Sequence, residues 1–480
     1  MKQYSIMTIL VAAALTLTGC SDFLDEAPRG NAIATTTDDY DKMFNASQNF
    51  NLLMFDQFYA QWKSDDLIFT DGSIATITSA TSFPTSVQAA IKYEDKIYRD
   101  DETTPETEQL YKQIYMYNSI ANGVMDSDGD DAKKRQLLAE ARVSRAYMHF
   151  ILAQWFAMPY VEETAATTEC LPIITEANTQ ETNFKKASIA DYYQWILTEM
   201  EESCPQLEER SEHRMRCYKA TGYALLGKVY FYMNKYDKAV EALRTAYSLL
   251  QGDANVYLTD HNTKQAATNY QELGAFSLLS YIQYPYRDNE VLFCKCSMGM
   301  LQYYPAYYGM EPADYLKPEV YALYTDNDLR RNTISTKTTA NKAYTYPTAT
   351  YRGAMQNHGI TLPEVYLMLA ESEARAGSQD NARKVLKEFR ATRMLTGSED
   401  VPADVTTKDD LVKFCIDEER REFAGTGQRF YNVRRLWNDP LFQSQKPITH
   451  TIGTTTYTMT EQNLMTPLPE TILIFNEDMR

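Results

Sequence analysis

The sequence predicts a mostly α-helical fold: a scaffold of tetratricopeptide-like helix pairs, interrupted by one long, irregular, loop-rich insertion. Three observations carry that expectation. Within residues 216–250, Tyr223, Leu226, Gly227 and Tyr230 fall on one side of a helix. A turn at Asn234 and Lys235 follows, and Ala239, Leu243 and Ala246 line one side of a second helix. Large side chains opposite small ones let two backbones approach closely, with Gly or Ala where the helices touch. The same spacing returns in residues 361–393 at Tyr366, Leu369, Ala370, Ala382 and Leu386, with Gly377 at the turn. Between the two copies, residues 255–360 break the period and are too long for a connector between stacked pairs. One hairpin cannot bury its apolar face alone, so further pairs must stack on it.

The elements follow in chain order. Residues 1–19 carry Lys2 and an apolar run over 9–17, too short for a permanent membrane span and suited to a secretory signal. That run closes on Leu17, Thr18, Gly19 and Cys20, which resembles a bacterial lipoprotein lipobox. The resemblance implies cleavage before Cys20 and acylation of its thiol, a lipid anchor in which each buried methylene contributes about 0.8 kcal/mol. An ordinary signal peptide with an accidental Cys20 is the alternative. Residues 20–36 read as a tether, and 37–254 as an N-terminal part built of helical hairpins.

Within that part, residues 37–62 are consistent with a helix, and Asp65 and Asp66 end a loop. Residues 71–86 lack an amphipathic period and read as a loop. Helical patterning spans 106–124. After an acidic turn the strongest helix begins, with Leu137, Ala141, Met148, Ile151 and Trp155 on one stripe. Ser188 with Asp191 caps the next helix, which ends by Pro205. In the C-terminal part, 361–480, Thr361 with Glu364 forms a capping box around Pro363. Thr407 with Asp410 caps a last long helix ending near Ala424, where Gly425 and Gly427 stop it.

Composition narrows the function. Sixty-five acidic against 47 basic side chains give a net charge of -18, which repels phosphate backbones and argues against a nucleic-acid partner. A hydrophobic content of 44% supports a sizeable core and excludes general disorder. Past Cys20, the cysteines Cys170, Cys204, Cys217, Cys294, Cys296 and Cys415 match no zinc pattern, and buried thiols are expected. Cys294 and Cys296, two apart on a strand, share a face but bridge poorly. The five histidines show no metal spacing, and no phosphate loop or nucleophile elbow is present, so no cofactor is expected.

Tyrosine is the outlier, at 36 residues against 19 Phe and 4 Trp. Most tyrosines on periodic helices are expected to be packing residues. The insertion differs, because Pro285 and Pro305 rule out a continuous helix under Tyr281, Tyr284, Tyr286, Tyr303, Tyr304, Tyr307 and Tyr308. Sugar rings present apolar C–H faces and a hydroxyl rim, which aromatic rings and Asn, Asp or Arg side chains can match. These seven tyrosines, with Trp62 from the N-terminal loops, are the candidate ligand-binding residues, against packing on the scaffold as the alternative. Glu418 and Glu422 share a helix face and invite a paired-carboxylate reading. Interleaved with Glu419, Arg420, Arg421, Arg429, Arg434 and Arg435, they read better as an ion-pair network joining helix to loop.

Several blocks resemble one family in order along the mature chain. Residues 20–30 (CSDFLDEAPRG), 137–161 (LLAEARVSRAYMHFILAQWFAMPYV), 289–293 (NEVLF), 326–333 (DNDLRRNT), 363–377 (PEVYLMLAESEARAG), 416–437 (IDEERREFAGTGQRFYNVRRLW) and 467–476 (PLPETILIFN) are similar to the SusD/RagB outer-membrane nutrient-binding lipoproteins. Ala157 departs from the family's usual Gly, Thr426 from Glu and Asn432 from Asp, which puts local salt bridges in doubt. The resemblance implies a SusD-like helical-pair scaffold, a shallow binding face built by loops and insertion, and oligosaccharide ligands, or peptides in some members. It implies a SusC-like TonB-dependent transporter as partner and no catalysis. An adaptor for protein partners is the rival reading, though a plain adaptor would continue its repeats through 255–360.

Overall fold

Stacked helix pairs form the frame. The computed structural model describes residues 34–46, 60–80, 84–102, 105–182, 184–210, 213–263, 288–298, 315–339, 342–347, 355–474 and 476–479. Helices α1 (Thr37–Met43), α2 (Ala60–Lys63), α3 (Asp71–Ala80) and α4 (Pro84–Ile91) precede the longer α5 (Pro105–Gly123), α6 (Asp131–Phe156) and α7 (Ile189–Ser203). The central hairpin is α8 (Lys219–Tyr232) and α9 (Tyr236–Leu250). A short α10 (Pro318–Tyr321) lies in the insertion. The C-terminal part holds α11 (Leu362–Ala376), α12 (Gln379–Arg390), α13 (Lys408–Glu422), α14 (Gln428–Leu436) and α15 (Glu470–Leu473). α5 packs on α6, α6 on α7, α8 on α9, α9 on α11, and α11 on both α12 and α13, so each pair covers the apolar face of the next.

The hairpin contact is as close as its spacing predicts. A Cβ on Gly227 would lie 2.5 Å from Leu243 Cγ, so only glycine fits against α9. The turn is tight: Asn234 adopts φ 58°, a left-handed conformation that Asn tolerates. The capping boxes at Thr361/Glu364 and Thr407/Asp410 are both formed, and Ser188 Oγ accepts from the Asp191 N–H.

One local expectation is corrected. Residues 71–80 and 84–86, expected as loop, are helical and form α3 and the start of α4. Thr70 and Ser73 hydrogen-bond each other's backbone N–H at helix entry, and Thr78 and Ser79 bond back to Ile74 O and Ala75 O. These polar turns blur the amphipathic period, and burial of Ile77, Val87, Ala90 and Ile91 settles the conformation. Helix over 37–62 is shown only at α1 and α2, since 47–59 lie outside the described residues.

The insertion also contains strands: most span two or three residues, too short for a two-residue period to register, and the six-residue pair at 334–347 is rich in Thr and lacks a clean alternation. These are β2 (Val291–Phe293), β3 (Cys296–Met298), β4 (Tyr315–Leu316), β5 (Ile334–Thr339), β6 (Lys342–Pro347), β7 (Met355–Asn357) and β8 (Ile360–Thr361), which follow β1 (Leu67–Ile68) near the N-terminus. They form an antiparallel sheet of order β1-β4-β6-β5 and the two-stranded ladders β2/β8 and β3/β7. A further hairpin joins β9 (Thr449–Ile452) to β10 (Thr455–Thr458).

Tyr147, Tyr192 and Tyr193 are fully buried around α6 and α7, as expected for scaffold tyrosines. Cys170, Cys204, Cys217, Cys294, Cys296 and Cys415 are free and buried. Cys294 and Cys296 turn their sulfurs toward each other at 3.3 Å.

His149, buried on α6, gives the frame an acid sensitivity. Its Nδ1 bonds Arg145 O at 2.9 Å, and its Nε2 accepts the Ile174 N–H at 3.2 Å. That pairing requires the neutral ring, and burial pushes its pKa down to about 4. The unfolded chain therefore binds this proton first. Stability is expected to fall by about 1.4 kcal/mol per pH unit from this residue as pH drops from about 6.5 towards 4. Nitrogen NMR should show a neutral, Nδ1-protonated His149 at pH 5; an imidazolium there would refute the assignment.

Candidate functional site

The Arg/Glu block forms a closed electrostatic knot. Glu418, fully buried, accepts from Arg330 Nη2, Arg390 Nη1 and Arg421 Nη2, each at 2.6 Å. Glu422 accepts from Arg330 Nη1 at 3.1 Å and from Arg393 Nη2 at 3.0 Å. Arg393 reaches on to Glu290 at 2.7 Å, and Arg330 closes on Asp328. Arg435 grips Glu371 with both terminal nitrogens and bonds Asn432 through Nε. Arg429 pairs with Asp65, and Arg420 with Asp66. Burial alone raises the Glu418 carboxyl, but Arg421, Arg330 and Arg390 outweigh it and hold the pKa well below the usual range. Both Glu418 and Glu422 are saturated by guanidinium donors, so the pair is structural.

This knot locks the ends of the insertion. Arg393 donates to Thr259 O at 2.8 Å and binds Glu290, which also accepts the Thr259 N–H. His261 N bonds Thr392 O, and Asn262 Nδ2 bonds Met394 O at 3.0 Å. Residues 257–262 and 288–290 therefore meet at the C-terminal end of α12, and the stretch between them starts and finishes at one corner. A second junction lies at the strands. Met298 pairs with Met355 in the β3/β7 ladder, and Leu316 pairs with Leu67 and Thr345 in the sheet. The connections 299–314 and 348–354 thus run between the same two β elements.

Of the candidate rings, Tyr281, Tyr284 and Tyr286 belong to the first of these stretches and Tyr303, Tyr304, Tyr307 and Tyr308 to the second; all seven, like Cys20, lie outside the described residues. Trp62 is corrected. It is 1% exposed, its ring 6.3 Å from Phe69, on a helix wedged between α4 and α14. Gly427 (φ 86°) seats the C-terminal segment on the same helix: a Cβ there would lie 2.8 Å from Gln61 N. A ring so enclosed packs the core and offers no face to a ligand.

The described insertion residues add two aromatic–polar pairs that the sequence reading did not single out. Tyr257 is 48% exposed, and its hydroxyl accepts from Asn289 Nδ2. Tyr344, half-buried, lies 4.9 Å from Tyr315 with Lys342 Nζ 5.1 Å above its ring. Both lie within 255–360 beside polar residues, and that position was the available signal. Among the described residues no group of three or more His, Cys, Asp or Glu is arranged to hold a metal, and no helix is long and apolar enough to cross a membrane.

Comparison with known proteins agrees with this architecture. Residues 22–231 match a SusD-like family described as "Starch-binding associating with outer membrane". No curated protein matches the sequence. The fold is similar to that of a SusD superfamily protein of Bacteroides thetaiotaomicron, with TM-score 0.67, 17% identity and coverage of 92% of this chain and 98% of that one. It is also similar to a SusD superfamily protein of Bacteroides vulgatus (TM-score 0.66, 18% identity, 92% and 97% covered). A SusD-like carbohydrate binding protein of Bacteroides vulgatus gives TM-score 0.65 at 13% identity, with 92% and 97% covered. Residues 22–231 match the SusD-like family, and over nearly its whole length the chain shares the fold of these SusD superfamily structures.

Proposed function

We propose that this chain is a non-catalytic outer-membrane lipoprotein, anchored through acylated Cys20, that binds nutrient oligosaccharides at the cell surface and delivers them to a SusC-like TonB-dependent transporter. The observation that carries this reading is the match of residues 22–231 to a family described as starch-binding and associating with the outer membrane. Two features support it. Both tyrosine-rich stretches are tied at their ends to a rigid frame, and Tyr257 with Asn289 sets an exposed ring beside an amide. Such pairs cover a sugar face and bond its rim.

The purified mature chain should be retarded in native gels containing a bound glycan, starch-type glucans included, with no product released. Turnover of any glycan would point to a hydrolase. Retention of peptides alone would favour a peptide-binding member, and retention of neither an adaptor for protein partners. Replacing Tyr303, Tyr304, Tyr307 and Tyr308 together by Ala should weaken glycan retention at least tenfold, about 1.4 kcal/mol, without shifting thermal unfolding. Cys20→Ala is expected to move the folded protein into the soluble fraction. A variant still pelleting with outer membrane after a high-salt wash would refute the anchor.

A further inference from the structure

Most buried arginines here meet a carboxylate: Arg330, Arg390, Arg393, Arg421, Arg429 and Arg435 all do. Arg434 does not. It is 2% exposed, and its Nη2 donates to Ala157 O at 2.9 Å and Ala153 O at 3.4 Å, at the C-terminal end of α6. Its Nε and Nη1 find no acceptor among the described residues. Lys63, 1% exposed, donates to Met465 O at 3.2 Å, and its Nζ stands 4.7 Å from the Phe430 ring, one helical turn before Arg434.

The two cations are linked through the segment at Met465 and Thr466. Met465 takes the Lys63 bond, and the next residue, Thr466, donates its N–H to Trp155 O on α6, between the two carbonyls that Arg434 caps. Thr466 is fully buried and its Oγ1 is also unpartnered. Phe430 lies against Trp155 at 6.5 Å, which closes the ring of contacts. The carboxylate nearest in sequence, Asp65, is taken by Arg429. Burial and the charge of Arg434 together push the Lys63 ammonium well below its ordinary range, and burial likewise lowers Arg434, to about 10.

The α6 carbonyls offset part of one charge. Two cations remain, with three donors that find no acceptor among the described residues, in a buried setting where charges need an opposite partner. We propose that Lys63, Arg434 and Thr466 enclose a small monovalent inorganic anion of the halide class. Near-complete burial excludes a glycan, a carboxylic acid or a phosphate ester. The anion accepts from Lys63 Nζ, from Arg434 Nε and Nη1, and from Thr466 Oγ1, and it ties α2 and α14 to the end of α6. It is a structural ion, separate from glycan recognition.

The test uses crystals of the mature chain grown in sodium bromide, with data collected at the bromine edge. An anomalous peak is expected within hydrogen-bonding reach of Lys63 Nζ and the Arg434 guanidinium, and it should be lost in Lys63→Met. At equal ionic strength, wild-type thermal unfolding should occur at higher temperature in chloride than in gluconate, and the variant should abolish that gap. Absence of an anomalous peak at this place in the wild type, with ordinary water or nothing there instead, overturns the proposal. A peak that persists in Lys63→Met overturns the role given to Lys63. Should that variant fail to fold, the wild-type bromide map decides alone.

Discussion

Glu418→Ala is expected to destabilise the folded chain by about 3–5 kcal/mol, the range for removing one partner from a buried ion pair. The carboxylate is fully buried and takes three guanidinium bonds at 2.6 Å, from Arg330, Arg390 and Arg421. Removing it leaves Arg330 with Asp328 and Glu422, but strips Arg390 and Arg421 of their carboxylate. Loss should therefore exceed that of any surface pair such as Lys96 with Asp100, where exchange for water is nearly even. Denaturant unfolding at pH 7 measures it; a loss below about 1 kcal/mol would show that the knot contributes little. The pH dependence has a defined sign. The folded pKa of Glu418 lies below its unfolded value, so its stabilisation is present above the ordinary carboxyl pKa and is lost as pH falls through the folded one.

Trp62→Ala is the second large effect, expected to cost about 3–5 kcal/mol as a large-to-small core substitution. The ring is 1% exposed beneath Phe69, between α4 and α14. In the fraction that folds, glycan retention should match the wild type. A variant with unchanged unfolding but lost retention would return Trp62 to the binding face. The contrast with the insertion tyrosines is deliberate: they should change retention without changing stability, and Trp62 the reverse.

Much of this protein was legible from its sequence. The Gly227–Leu243 contact, the capping boxes at Thr361 and Thr407, and the pairing of α11 with α12 all rest on residues within a few turns of one another. Their spacing and side-chain chemistry act locally, so a linear reading recovers them. The interleaved Glu and Arg of 418–435 announced a network for the same reason. Its partners did not show: Asp65, Glu290, Asp328 and Arg393 reach it only once the chain has folded, across as many as 364 residues.

The helical conformation of 71–80, the insertion strands, the enclosure of Trp62 and the lack of a carboxylate beside Arg434 among the described residues were decided by tertiary structure alone. Whether a ring is a platform or filler depends on what covers it. Whether a cation is paired depends on which distant carboxylate has already been claimed. Neither is a property of neighbours in sequence, because burial and electrostatic pairing are settled by close packing between elements that the chain order keeps far apart.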